Sequence, residues 1–321
     1  MKICIVGAGA IGGYLGVKLI KAGFDVSLVA RGAHLEAMSK NGLTLIEDEK
    51  EISCFPKCTD SMEKLSKMDF IFITLKAYSI PGMVKEIVKM FKKNTSVITA
   101  YNGMPWWYFF NYGGRLNNYQ IQCLDKDSVQ WNLITPERII GCVVYPATEI
   151  IEPGIIKHME GNRFSLGELD GTKSDRVLTM SKTLVSAGLK APIRNNIRQD
   201  IWTKLIGNLA FNPLSVITGE TLDVLVSKAE NKKIAYSAMK EASLIMDKLE
   251  IPLNISIEQR IEGAGKVGKH KTSMLQDFEQ GKQLEIDALI VAVKEIGTLL
   301  DIKIPTIDKI LIDLQKKISP L

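Results

Sequence analysis

The six residues Gly7-Ala8-Gly9-Ala10-Ile11-Gly12 constrain this chain more than any others, because of what stands on either side of them. A short β-branched run at 2–6 leads into them, and residues 11–22 continue with helical spacing as far as Gly23. A glycine motif between a strand and a helix builds one kind of corner. The first glycine permits the tight turn, the second lets backbone approach a pyrophosphate, and the third lets helix and strand pack closely. The N–H groups of the helix's first turn then face the phosphates. A glycine-rich turn with no ligand is the bland alternative. A second strand arriving on schedule at 25–30 favours a bound dinucleotide, held by Gly7, Ala8, Gly9, Ala10, Ile11 and Gly12.

The end of that second strand reads the kind of dinucleotide. An NAD site carries Asp or Glu there for the ribose 2′-hydroxyl, but this strand ends Val29-Ala30-Arg31, with no acid. A guanidinium at that place matches the oxygens of a 2′-phosphate, which points to NADP(H). The alternative is that Arg31 is a solvated loop charge.

The βαβ rhythm continues. Residues 70–75 (FIFITL) read as a strand buried on both faces, 80–91 as a helix with Pro81 in its first turn, and 96–101 as another strand. Residues 139–169 are β-rich and broken by Pro146, Pro153-Gly154 and Gly161, and a helix follows at 173–187. After Asn195 the strand signals stop, and 200–211, 232–249, 274–300 and 307–317 all read as helices. The expected fold is therefore an α/β, Rossmann-like doubly wound sheet at 1–194, binding NADP, followed by an all-helical domain at 195–321.

Composition narrows the function classes. Hydrophobic residues make up 46% of the 321 and charged residues 24%, enough for a large core. The net charge of +5 comes with no dense Lys/Arg block, so neither nucleic acid nor an anionic membrane is expected as a partner. No segment reaches transmembrane length, and the glycine-rich N-terminus makes a poor signal peptide. The five cysteines include no CxxC pair and the three histidines are scattered, so reduced thiols in a cytoplasmic protein without metal are expected.

The second half carries one peculiar helix face. Lys204, Asn208 and Asn212 stand at i, i+4 and i+8, one side of a helix at ~6 Å per step, among Ile201, Trp202, Leu205, Ile206, Leu209 and Phe211. A lysine and two amides in such company are costly unless they meet a polar ligand. The blander readings are a snorkelling Lys204 and a helix that simply ends at Asn212-Pro213.

With these segments in view, the chain resembles the ketopantoate reductase family over nearly its whole length. The likeness is carried by GAGAIG at 7–12, Arg31, TLKAY at 74–78, YNGM at 101–104, NNIRQDIWTKLIGNLAFNPL at 195–214 and SMLQDFEQGKQLEID at 273–287. The resemblance implies a Rossmann domain and a helical domain with the active site between them. It also implies NADPH-dependent reduction of a small 2-oxo acid, ketopantoate, to pantoate on the way to pantothenate and coenzyme A. It makes Lys204 the catalytic lysine, and Asn102, Asn208 and Asn212 the amides that position substrate or cofactor. Ser273 becomes a substrate-binding serine, Glu285 the carboxylate that bonds the substrate hydroxyl, and Lys76 a lysine near the cofactor. A homodimer is compatible with it.

Alternatives stay open at three places. Ser273 with Gln276 also fits a capping box, and Glu285 is expected inside a helix between Leu284 and Ile286. After Asn102-Gly103-Met104 the chain departs from the family with Pro105 and five aromatics, Trp106 to Phe110. A packed loop explains them better than substrate contact, yet they leave the exact oxo acid open. A related oxidoreductase on another 2-oxo acid, or a non-catalytic NADP(H)-binding sensor, are the competing functions.

Overall fold

The structure, a computed structural model, describes residues 1–319. Among the described residues eleven strands form two sheets: β1 (Lys2–Val6), β2 (Asp25–Val29), β3 (Leu43–Glu47), β4 (Lys50–Cys54), β5 (Lys57–Thr59), β6 (Met68–Ile73), β7 (Phe91–Thr99), β8 (Ile139–Val144), β9 (Ala147–Glu152), β10 (Ile155–Glu160) and β11 (Phe164–Gly167). The larger sheet has the order β11-β8-β7-β6-β1-β2-β5. It is parallel throughout except where β11 pairs antiparallel with β8. The strand order reverses between β1 and β6, the switch point outside which doubly wound sheets bind ligands at their carboxyl ends. The central strands read as apolar runs because both of their faces are covered: Ile3, Ile5, Ile71, Phe72, Ile73, Val97 and Ile98 have no exposed surface.

The chain divides into two compact units. The first comprises Met1–Tyr101, Phe109–Gln120 and Asp127–Ile197; the second comprises Asn102–Tyr108, Ile121–Lys126 and everything from Arg198 on. The second unit is helical, with Leu222–Ser227, Ala229–Lys248, Ile257–Lys266, Ser273–Glu279, Ala292–Leu299 and Pro305–Ile318 following the long helix Ile197–Thr218. No helix among the described residues is long and apolar enough to cross a membrane.

Four local expectations are corrected. The 80–91 helix is broken into short 3-10 and α turns, and the next strand already begins at Phe91. The helix expected to stop before Pro213 runs from Ile197 to Thr218 with the proline inside it. A proline removes one N–H and crowds one carbonyl, and the apolar side chains around it, Leu209 at 0% and Val216 at 0% exposed, hold the helix through the defect. The single helix expected at 274–300 is two, because Ser273–Glu279 stops at Gln280 and Gly281 turns at φ +64°. Finally, a second sheet of order β4-β3-β10-β9, with β3 and β10 parallel, packs on the helix Ala10–Lys21. In that sheet Ile155, after the Pro153-Gly154 turn, stands opposite Thr44, 111 positions earlier, and local pattern does not reveal that the two hairpins pair.

Candidate active site

The dinucleotide corner is built mainly by backbone. The Gly7 and Ala8 N–H groups both donate to the Val29 carbonyl, at 3.0 and 2.8 Å, which ties the turn after β1 to the end of β2. The Thr74 hydroxyl, at the end of β6, donates to the Gly7 carbonyl at 2.7 Å. A Cβ on Gly12 would stand 2.2 Å from the Gly7 carbonyl oxygen and 2.6 Å from Thr74 Oγ1, so only glycine fits under the turn. Gly9 is the opposite case. Its Cβ would meet nothing nearer than Gly7 O at 4.0 Å, so the turn is open on the side where a pyrophosphate would approach. Gly9 caps the helix Ala10–Lys21 with no side chain, and no acid stands in the first turn to repel an anion. These residues fit a dinucleotide. Arg31 is exposed and starts the helix Gly32–Asn41 from an extended conformation. Lys76 is half-buried, one turn beyond β6, at the start of the 3-10 turn Ala77–Ser79.

Sequence reasoning missed two side chains here. Thr74 lay inside the quoted TLKAY motif, but its bond to Gly7 spans 67 residues and has no local signal. His34 accepts the Gly154 N–H at Nδ1, 3.0 Å, joining the helix after Arg31 to the 153–154 turn. Burial holds this imidazole below its ordinary 6.5.

In the second unit, Lys204 Nζ donates to Asn102 Oδ1 at 2.6 Å. Asn102 is therefore brought onto the helix face that the sequence singled out. The apolar side of that helix is sunk as its pattern requires, with Ile201, Trp202, Leu205, Ile206, Leu209 and Phe211 between 0% and 6% exposed. Lys204 and Asn208 are half-buried and Asn212 is buried. Two further bonds strap the 102–108 segment down: Arg198 Nε donates to the Tyr108 carbonyl at 2.7 Å, and Trp202 Nε1 to the Tyr108 hydroxyl at 2.8 Å. The aromatic run is thus packing: Trp106, Trp107, Tyr108 and Phe109 are 0–2% exposed, and half-buried Phe110 meets Trp131 edge-on.

The capping-box reading of Ser273 is replaced. The cap of the helix Ser273–Glu279 is Thr272, whose hydroxyl accepts the Leu275 N–H. Thr272 Oγ1 also lies 2.6 Å from Ser215 Oγ, and Ser215 donates on to the Asn212 carbonyl at 2.7 Å. Each hydroxyl accepts from one neighbour and donates to the next, so this relay ties the start of the Ser273 helix to Asn212. Ser273 itself is exposed and takes no part in the cap. Glu285 lies outside any helix, one residue before the helical stretch from Ile286, and is 6% exposed. A carboxylate at that depth is expected to sit against a partner that holds it. Among the described residues no group of three or more His, Cys, Asp or Glu is placed to hold a metal, and all five cysteines are free thiols.

Models of the family described as ketopantoate reductase PanE/ApbA match residues 3–107, and its C-terminal model matches 196–317. The chain belongs to the ketopantoate reductase family. Its match with a 2-dehydropantoate 2-reductase of Mesorhizobium japonicum is 49% identical over 312 residues, covering 97% of this chain and 96% of that one. A solved structure from Ralstonia solanacearum MolK2, 35% identical, has a TM-score of 0.93 and covers 98% of this chain and 97% of its own. A 2-dehydropantoate 2-reductase of Geobacter metallireducens GS-15, at 24% identity and TM-score 0.86 with 98% and 99% covered, shares the fold. The ketopantoate reductase family is one of pyridine-nucleotide oxidoreductases, and the glycine turn described above is where such a nucleotide fits.

Proposed function

We propose that this member of the ketopantoate reductase family reduces 2-dehydropantoate (ketopantoate) to pantoate with NADPH. The observation that carries the reading is the Lys204–Asn102 bond, on a helix face otherwise sunk in apolar packing. The 49% identity to a 2-dehydropantoate 2-reductase supports the choice of oxo acid. Gly7, Ala8, Gly9, Ala10, Ile11 and Gly12 cradle the pyrophosphate. Arg31, with no acid beside it at the end of β2, supports a 2′-phosphate and hence NADPH over NADH. Lys76 stands near the cofactor, beyond the carboxyl end of β6.

Bound NADPH supplies the hydride to the carbonyl carbon. As that carbon becomes tetrahedral, negative charge grows on its oxygen, and the Lys204 ammonium stabilises it and donates the proton. An ammonium has three N–H donors, so the bond to Asn102 Oδ1 aims the group while the acid function is kept. Asn208, Asn212 and Ser273 orient the oxo acid, and Glu285 accepts from its distal hydroxyl. The burial of the 106–109 aromatics supports this choice over a bulkier oxo acid, because their rings pack inside the protein.

The test is NADPH consumption across a panel of 2-oxo acids that includes ketopantoate and its analogue lacking the 4-hydroxyl. Ketopantoate should be preferred, since a site built to bond a hydroxyl rejects the analogue without one. Glu285→Ala should raise KM for ketopantoate and erase that preference. Equal losses on both substrates in Glu285→Ala would remove the hydroxyl-reading role. No turnover of any oxo acid by the wild-type chain would leave a nucleotide-binding protein without this activity.

A further inference from the structure

The Lys204–Asn102 bond needs Asn102 to be held still, and Asn102 lies on a loop. A flexible loop cannot aim an ammonium to a few tenths of an ångström, so something outside the loop must fix it. The residues next to Asn102 show what does. Gly103 has φ +90°, the left-handed region, and Ala288 occupies the space where its side chain would lie. A Cβ built on it would stand 2.7 Å from Ala288 Cβ, 2.7 Å from the Ala288 carbonyl oxygen and 2.9 Å from its carbon. The next N–H, that of Met104, donates to the same Ala288 carbonyl at 2.8 Å.

Ala288 does not sit in an ordinary helix. Residues Asp287–Val291 form a π-helical turn, in which the Ala292 N–H reaches back five residues to the Asp287 carbonyl. Such a turn is one residue wider than an α-turn and is rarely kept unless it places something. Here it starts two residues after buried Glu285, whose carbonyl accepts the Leu289 N–H at 3.2 Å. Ala288 is itself 1% exposed, and Leu289 and Ile290 beside it are 1% and 0% exposed, so the turn is anchored on its far side.

We propose that Gly103 and the π-turn at Ala288 form one positioning device for the reaction, locking Asn102 onto Lys204 in register with Glu285. Neither residue touches the reacting atoms. They act through Asn102: the bare Cα of Gly103 and the Met104 N–H seat the loop on the turn, and the seated loop aims Asn102 Oδ1 at the ammonium. The same turn sets where Glu285 leaves the backbone. The proton donor and the hydroxyl-reading carboxylate are thereby referenced to a single rigid element, although they are 81 residues apart in sequence. The loop sequence Asn102-Gly103-Met104 follows from this seat: an amide to aim, a residue with no Cβ to touch down, and an N–H to fasten. The inference rests on the catalytic reading of Lys204 and Asn102 given above.

The experiment is a double-mutant cycle on the full-length protein, reading kcat, KM for ketopantoate and the Kd for NADPH by fluorescence. Gly103→Ala forces the loop off its seat by the distances above, and a misplacement of about an ångström costs on the order of 10²-fold in rate. That loss is expected in kcat, with any change in NADPH binding no larger than in Asn102→Ala, because the nucleotide turn is elsewhere. Asn102→Ala is expected to lower kcat comparably, and the double variant should be no worse than Asn102→Ala alone, since the device acts only through that amide. Additive losses in the double variant, or a normal kcat in Gly103→Ala, would overturn the proposal. If Asn102→Ala alone keeps a normal kcat, it is the reading of the catalytic site that fails, and the two failures are told apart. Should Gly103→Ala not fold, Ala288→Ser presses on the same contact from the helix side. It should lower kcat several-fold in the wild-type background and not at all in Asn102→Ala; an equal loss in both backgrounds would overturn the device.

Discussion

On the proposed function, the glycine turn at 7–12 and the Lys204 constellation would hold charged ligands by opposite means. The turn is six consecutive residues whose work is done by backbone N–H groups, a missing Cβ at Gly12 and open space at Gly9. The constellation draws on three distant segments, 102–104, 204–215 and 272–288, joined by side-chain bonds such as Lys204–Asn102 and Thr272–Ser215–Asn212. A backbone site tolerates change in its side chains but not in its glycines. A side-chain site tolerates change in its loops only while the seats of those loops are kept. Substitutions in the two regions should therefore fail in different observables.

The largest expected effect is Lys204→Ala, a fall in kcat of ~10²–10⁴, the range of a general acid, with the Kd for NADPH unchanged. Near-normal kcat would remove Lys204 as the acid. A matching loss of NADPH affinity would show that the two regions are not separable in the way the comparison claims. The mirror experiment is Arg31→Asp, which should weaken NADPH by about 1.5–3 kcal/mol, the value of a hydrogen bond to a charged group, while kcat at saturating nucleotide stays close to wild type. Equal use of NADPH and NADH by the unaltered chain would dismiss Arg31 as the 2′-phosphate reader. The smallest effect is Thr272→Ala. Loss of the cap and of the relay to Ser215 should cost about 1 kcal/mol of stability, the usual worth of an N-cap, seen as a lower denaturant midpoint. It should also raise KM for the oxo acid without touching NADPH binding, because the relay ties the Ser273 helix to Asn212. An unchanged midpoint would mean that solvent replaces the relay at no cost.

Legibility follows the same division. The turn at 7–12 was readable as a strand-to-helix corner, since strand, glycines and helix are adjacent and the geometry is local. The helix face Lys204, Asn208, Asn212 was readable as a face, since a period of 3.6 needs no tertiary information. Its length was not, because whether Pro213 ends a helix is decided by packing around it. The capping box at Ser273-Gln276 was a sound local reading that lost to Thr272 by one residue, on the strength of Ser215, 57 positions earlier. The break at 280–285 and the π-turn after it left no clear mark beyond Gly281. Thr74 and His34 reach across 67 and 120 residues to their partners, and such pairs are invisible to any window.

By itself, then, the sequence determined what short-range sterics and periodicity dictate: a Rossmann-like first half, a helical second half, a glycine turn between strand and helix, and one polar stripe on an apolar helix. Only the tertiary structure decided what those pieces meet. It put the second sheet on the first helix, carried Asn102 to Lys204, drew Thr272 to Ser215, and opened a π-turn under Gly103. The reason is physical. Backbone conformation is a property of neighbours in the chain, whereas a hydrogen bond between side chains a hundred residues apart exists only once burial has paid for bringing them together.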